Sequence, residues 1–124
     1  MGGSGLGVPA RVLIVEDDHI VRRMLARFVS ELGGEALAVA TGERALQELH
    51  PGRFQALLTD VDLGSELDGL EVARRALVLD PTLHVVVMSG SQENAERAEQ
   101  AGIPAFLSKP VDFDTLARVL GLCG

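Results

Sequence analysis

The sequence predicts an α/β fold, a parallel β-sheet covered by helices on both faces. Two observations predict it. Five short apolar runs alternate with five segments whose apolar residues recur at helical spacing. The strand-like runs are almost continuously apolar rather than alternating, as in strands buried on both sides.

The elements follow in order. Arg11–Val15 (RVLIV) is short and β-branched, and reads as the first strand. Val21, Met24, Leu25, Phe28, Val29 and Leu32 mark one face of a helix that Gly33-Gly34 ends, with Asp18 as a candidate cap. Residues 35–40 (EALAVA) form a weaker strand. Thr41 can cap a helix carrying Ala45, Leu46 and Leu49, which Pro51-Gly52 closes. Residues 55–59 (QALLT) read as the third strand. A polar, glycine-bearing loop leads to a helix with Leu70, Ala73, Ala76 and Leu77 inward, and Pro81 lies past its end. His84–Met88 (HVVVM) is the clearest strand. Residues 92–101 are Ala-rich and charged, a helix with a thin apolar anchor that Gly102 stops. Residues 105–107 (AFL) make a short fifth strand. Asp112 can cap a last helix carrying Leu116, Val119 and Leu120.

The 124 residues suit one domain. Residues 1–10 (MGGSGLGVPA) read as a flexible leader or a remnant of expression, and residues 11–123 as the domain. At 47% hydrophobic but only 3% aromatic, the core must be aliphatic. A net charge of −7 argues against a binder of nucleic-acid backbone, which would concentrate Lys and Arg. One cysteine, Cys123, excludes an internal disulfide and a multi-cysteine zinc site, and reads as a small apolar residue near a helix end. No apolar run approaches the ~20 residues of a membrane span, and the first residues lack a signal-peptide pattern, so a cytoplasmic protein is expected.

In parallel sheets of this kind ligands bind beyond the carboxyl ends of the strands. The first strand is followed there by Glu16, Asp17 and Asp18, the third by Asp60, the fourth by Ser89, and the fifth by Ser108, Lys109 and Pro110. Each alone is an ordinary turn, cap or surface residue. The sheet, however, would gather all of them on one rim. Such a rim could hold a hard divalent cation, which takes one or two carboxylates among oxygen ligands. Lys109 could neutralise phosphoryl oxygens and Ser89 could donate to one.

The sequence resembles a response-regulator receiver domain (CheY-like) of two-component signalling. The resemblance rests on VLIVEDD, LLTDVDL, DGLEVARRA, VVVMSG and FLSKP, in this order, and runs from Arg11 to Leu122. It implies a doubly wound five-stranded parallel sheet of order 2-1-3-4-5 with five helices. It implies Asp60 as phosphoacceptor, and Glu16 and Asp17 as the acidic pair that binds Mg²⁺, or Mn²⁺ in its place. It adds the Asp62 main-chain carbonyl as a further ligand and Ser89 as the switch hydroxyl. Phe106 takes the aromatic switch position. Lys109 is the matching lysine, followed by Pro110 through what is often a cis bond. Implied partners are a sensor histidine kinase or a histidine phosphotransfer protein, with the downstream effector or output domain unnamed. Phosphorylation is expected to reshape the surface of the fourth helix, fifth strand and fifth helix, through which a homodimer could also form. No nucleic acid or membrane is expected as partner.

Two departures stand out. Gly64 replaces a common proline in a loop one residue longer than usual, and Asp62 adds a carboxylate two residues after the acceptor. The side chain of Asp62 either faces outward or affects metal affinity or hydrolysis. His19, His50 and His84 form no ligand-like group. Two rival readings remain open from sequence. Asp60-Val61-Asp62 also resembles the D-x-D signature of haloacid-dehalogenase-type phosphatases, though these carry it on their first strand. A pseudo-receiver acting only as an interaction module is the other, against which the set Asp60, Asp17 and Lys109 argues.

Overall fold

A computed structural model describes residues 10–121. The leader at 1–9, Leu122 and Cys123 lie outside the described residues. The strands are β1 (Arg11–Val15), β2 (Glu35–Val39), β3 (Ala56–Asp60), β4 (His84–Ser89) and β5 (Ala105–Ser108). The helices are α1 (His19–Glu31), α2 (Gly42–Glu48), α3 (Gly69–Leu79), α4 (Gln92–Gln100) and α5 (Phe113–Leu120). All strand pairs are parallel, in the order β2-β1-β3-β4-β5, the order the resemblance implied.

Alternate strand residues serve opposite faces, because side chains in a strand point up and down with period two. Leu13, Val15, Leu57, Val85 and Val87 pack with Ala45, Leu49, Leu70, Ala73 and Ala98, so α2, α3 and α4 cover one face. Val12, Ile14, Leu58, Val86 and Met88 pack with Leu25, Val29, Leu116 and Leu120, so α1 and α5 cover the other. Each fully buried Leu or Val contributes about 1.5–3 kcal/mol by leaving water. Phe28 and Phe113 meet edge to face at 5.4 Å and tie α1 to α5.

The helix starts behave as their residues dictate. Asp18, Thr41, Asp68 and Asp112 each accept backbone N–H bonds at a first turn. The α4 start has no such cap: Ser91 stands there without a side-chain bond. The helix α4 buries only Asn94 and Ala98, in line with its thin apolar stripe.

The third strand is shifted one residue from its sequence reading. Asp60 is its last residue, paired with Met88, rather than the first residue beyond it. Ser89 and Ser108 likewise close β4 and β5 and face each other in register. The pairing carries the ladder one step past the apolar run, so these polar groups sit on rigid strand ends.

Candidate phosphoacceptor site

Glu16 and Asp17 leave the end of β1 in a turn held from several sides. Glu16 Oε2 accepts the Asp18 N–H at 3.1 Å. Asp18 caps α1 by accepting from the N–H groups of Ile20 and Val21 at 2.9 and 3.0 Å. Arg22 reaches back from α1 and donates to the carbonyls of Glu16 and Asp17 at 2.9 and 3.4 Å. The turn is thus braced by a cation from behind while its carboxylates face the rim.

Asp60 is 5% exposed at the end of β3. The chain just after it is pinned: the Val61 N–H donates to the Met88 carbonyl, and the Gly69 N–H to the Val61 carbonyl, both at 2.9 Å. The Asp62 N–H turns back to donate to Asp60 Oδ1 at 3.2 Å. Oxygens of Glu16, Asp17 and Asp60 lie within 4.8 Å of one another. Lys109, joined to Pro110 by a cis bond, donates from Nζ to Glu16 Oε1 at 2.8 Å and to Asp60 Oδ2 at 2.9 Å. Its own N–H donates to the Ser89 carbonyl at 3.0 Å, which fixes the lysine to the end of β4.

Burial pushes the Glu16 carboxyl above its ordinary value, with the Asp60 charge adding to the rise, and hydrogen bonds from Lys109 and Asp18 offset this only in part. Burial would lower the Lys109 ammonium, but its hydrogen bonds to Glu16 and Asp60 outweigh it and hold the pKa above the usual lysine value. Three carboxylates against one ammonium leave an excess of negative charge at the rim, with Glu16 and Asp60 buried and Asp17 open to solvent. An all-oxygen donor set of this kind fits Mg²⁺.

The rest of the expected site divides in two. Ser89 is buried and its Oγ accepts from the Ser91 N–H and from Asn94 Nδ2. Phe106 is half-buried in mid-β5 beside Val87, packed with the α2–α3–α4 face rather than against the carboxylates. The Asp62 carboxylate turns toward α4, where Oδ2 accepts from Asn94 Nδ2 at 3.1 Å. Gly64 takes φ +65, which proline cannot, and a Cβ there would stand 3.1 Å from Asp17 Oδ2. The D-x-D reading loses its footing, since Asp60 closes the third strand rather than the first, and Asp62 in the loop beyond it is held by Asn94. His84 bonds the Val119 carbonyl through Nε2 at 2.7 Å, a packing role at the far end of the sheet. His19 Nδ1 meets Arg22 at 3.2 Å.

Two residues escaped the sequence reading. Asn94 looked like one more polar residue in a charged helix. Its signal was position, on the stripe shared with Ala98 and Ala101. Arg22 carried no sequence signal, because arginine on a helix next to a strand end is commonplace.

Residues 12–120 match the family model described as response regulator receiver domain. The response regulator receiver protein CpdR of Brucella abortus is 36% identical over 80 residues, which cover 64% of this chain and 66% of CpdR. The sensor histidine kinase RcsC of Salmonella typhimurium is 32% identical over 113 residues, covering 90% of this chain but 12% of RcsC. Among solved structures, the receiver domain of a sensor histidine kinase from Pseudomonas aeruginosa PAO1, with a magnesium ion in its active-site cleft, superposes with a TM-score of 0.82. It is 25% identical over 94% of this chain and 98% of that one. The chain thus spans about two thirds of CpdR and about an eighth of RcsC.

Proposed function

The chain belongs to the response-regulator receiver family, and from that premise we propose that Asp60 is the residue that takes up the phosphoryl group. Receiver domains pair with histidine kinases and catalyse only their own phosphorylation. In this reading an oxygen of Asp60 attacks the phosphorus of a partner's phosphohistidine. The P–N bond breaks, its electron pair returns to the imidazole, and an acyl phosphate forms. The partner is a sensor kinase or a histidine phosphotransfer protein in the cytoplasm, and the domain extends over residues 11–123.

One observation supports the assignment above the others. Lys109 Nζ bonds Glu16 and Asp60 at once, while Glu16, Asp17 and Asp60 bring oxygens within 4.8 Å. Glu16, Asp17, Asp60 and the Asp62 carbonyl would hold Mg²⁺ or Mn²⁺. When bound, the cation offsets carboxylate charge and stabilises charge on the transferring phosphoryl group. Lys109 orients Asp60 through Oδ2. The ammonium has three donors, and the two carboxylate bonds leave a third for a phosphoryl oxygen. Ser89 supplies a hydroxyl, and Phe106 responds to its displacement. That pair biases the α4–β5–α5 surface for an effector or a second copy.

Intact mass after acetyl phosphate with Mg²⁺ tests this. One phosphoryl adduct on the wild type, absent from Asp60→Ala, is expected. An adduct that survives Asp60→Ala refutes the assignment.

A further inference from the structure

Asn94 is a buried polar side chain, 6% exposed, with every hydrogen-bonding atom engaged. Its Nδ2 donates one hydrogen to Ser89 Oγ at 2.9 Å and the other to Asp62 Oδ2 at 3.1 Å. Its Oδ1 accepts from Arg97 Nη1 at 2.9 Å, and Arg97 Nη2 is anchored on Asp68 Oδ2 at 3.2 Å. These partners dictate which way the amide points. Reversed, it would set its NH₂ against the guanidinium and its oxygen against the Asp62 carboxylate.

The consequence falls on Ser89, itself 1% exposed. A hydroxyl has two acceptor lone pairs and one hydrogen to give. Asn94 Nδ2 and the Ser91 N–H, at 3.0 Å, occupy both acceptor positions. Only the hydrogen is left, and no group among the described residues accepts it. We propose that Asn94 is a positioning residue that makes Ser89 a donor, with its hydrogen reserved for a phosphoryl oxygen on Asp60. Arg97 holds the amide in the polarity this requires, so α3, α4 and the hydroxyl are joined in one chain. The inference rests on the reading of Asp60 and Ser89 given above.

An aspartate at position 94 keeps the shape and inverts the polarity. It would accept the Ser89 hydrogen and so take it from the phosphoryl group. It would also add a negative charge near the site, so the single variant is not sufficient. The test is a double-mutant cycle on the full chain: Asn94→Asp and Asn94→Ala, each with and without Ser89→Ala. The readout is beryllofluoride affinity at fixed Mg²⁺, by calorimetry, alongside adduct formation from acetyl phosphate.

Asn94→Asp is expected to weaken beryllofluoride binding by about tenfold more in the Ser89 background than in the Ser89→Ala background, the value of one lost charge-assisted bond. Asn94→Ala leaves the hydroxyl unsteered but uncaptured, with a coupling of about threefold. Equal effects in both backgrounds, for either variant, overturn the proposal, since a structural or purely electrostatic role adds independently of Ser89. If Asn94→Asp loses its thermal transition, the Asn94→Ala cycle decides alone. A wild type that forms no adduct and binds no beryllofluoride refutes the Asp60 reading itself, and this inference with it. Normal wild-type binding that Ser89→Ala leaves unchanged refutes the role of the hydroxyl, and with it the positioning of that hydroxyl by Asn94.

Discussion

Gly69, the first residue of α3, lies against the backbone of Asp60, the proposed acceptor, and replacing it with alanine tests how rigidly Asp60 is held. A Cβ there would stand 2.7 Å from the Asp60 carbonyl carbon and 2.9 Å from the Val61 Cα, with the Asp60 carbonyl oxygen closer still. Carbon atoms at rest are about 3.5 Å apart, so α3 or the end of β3 must shift by roughly 0.8 Å or more. The obstacles are backbone atoms, which no rotamer change can move aside. Overpacking of this kind costs about 1–3 kcal/mol. The shift also stretches the 2.9 Å bond from the Gly69 N–H to the Val61 carbonyl, worth about 1 kcal/mol. Alanine recovers little helix propensity at a first-turn position. The expected loss is therefore about 2–4 kcal/mol, which lowers Tm by about 10 °C in a domain of this size. Urea unfolding should show the same loss, and the acetyl-phosphate reaction should slow because the Asp60 carbonyl is displaced. A change below about 1 kcal/mol, with phosphorylation intact, would refute the claim that this close approach positions the acceptor.

Four further outcomes follow from the geometry. Mg²⁺ should raise Tm with concentration, by about 2.7 kcal/mol of stability at a hundred times its Kd, and Asp17→Asn should weaken the effect; a Tm indifferent to Mg²⁺ refutes the cation site. Asp62→Asn should change the lifetime of the acyl phosphate, read as the decay of the mass adduct, and unchanged decay would leave the Asp62 side chain without a role there. Asp112 caps α5 and its carboxyl is held below the ordinary 3.8, chiefly by the Thr115 N–H. A depressed pKa stabilises the fold above the unfolded value and loses that contribution as pH falls through the folded one. Asp112→Asn should thus flatten the fall in stability below pH 3.8, and an unaltered slope counts against the cap. Arg97→Lys should cost little stability, since its ion pair with Asp68 is exposed. It should still weaken beryllofluoride binding by releasing the Asn94 amide, and undiminished affinity would show that the clamp is idle.

The fold was legible because a strand buried on both faces has no choice but to be apolar: RVLIV and HVVVM announce themselves. The end of β3 was not, because its last step is set by pairing with Met88, which no local pattern records. The rim was legible for a related reason. Carboxylates directly after apolar strands have one place to go once the strands are parallel. What the sequence hid were side-chain directions. Whether Asp62 faces solvent or α4 depends on Asn94, 32 residues away. Asn94 in turn depends on Arg97 and on a charged helix with only a thin apolar anchor. Polar networks are specified by partners distant in sequence, so periodicity, which reads burial, does not register them.

The electrostatics explain why the site is built from a surplus of acids. Glu16, Asp17 and Asp60 carry three negative charges against the single positive charge of Lys109, a sum of −2 that a divalent cation would cancel. A lysine in place of one acid would also balance the charge, but it would hold the acceptor in a permanent ion pair and blunt its attack. Lys109 avoids this by sharing. Glu16 takes one of its bonds at 2.8 Å, Asp60 another at 2.9 Å, so the deeply buried Glu16 gives the ammonium a second anionic anchor beside Asp60. Consider the variant Glu16→Gln. The amide could still bond Lys109 through its oxygen, but among the described residues the ammonium would then have Asp60 as its only anionic hydrogen-bond partner. Asp60 should become a weaker nucleophile, and phosphorylation by acetyl phosphate should slow even at saturating Mg²⁺. An undiminished rate at saturation would mean that Glu16 serves the cation alone and that its bond to Lys109 is incidental.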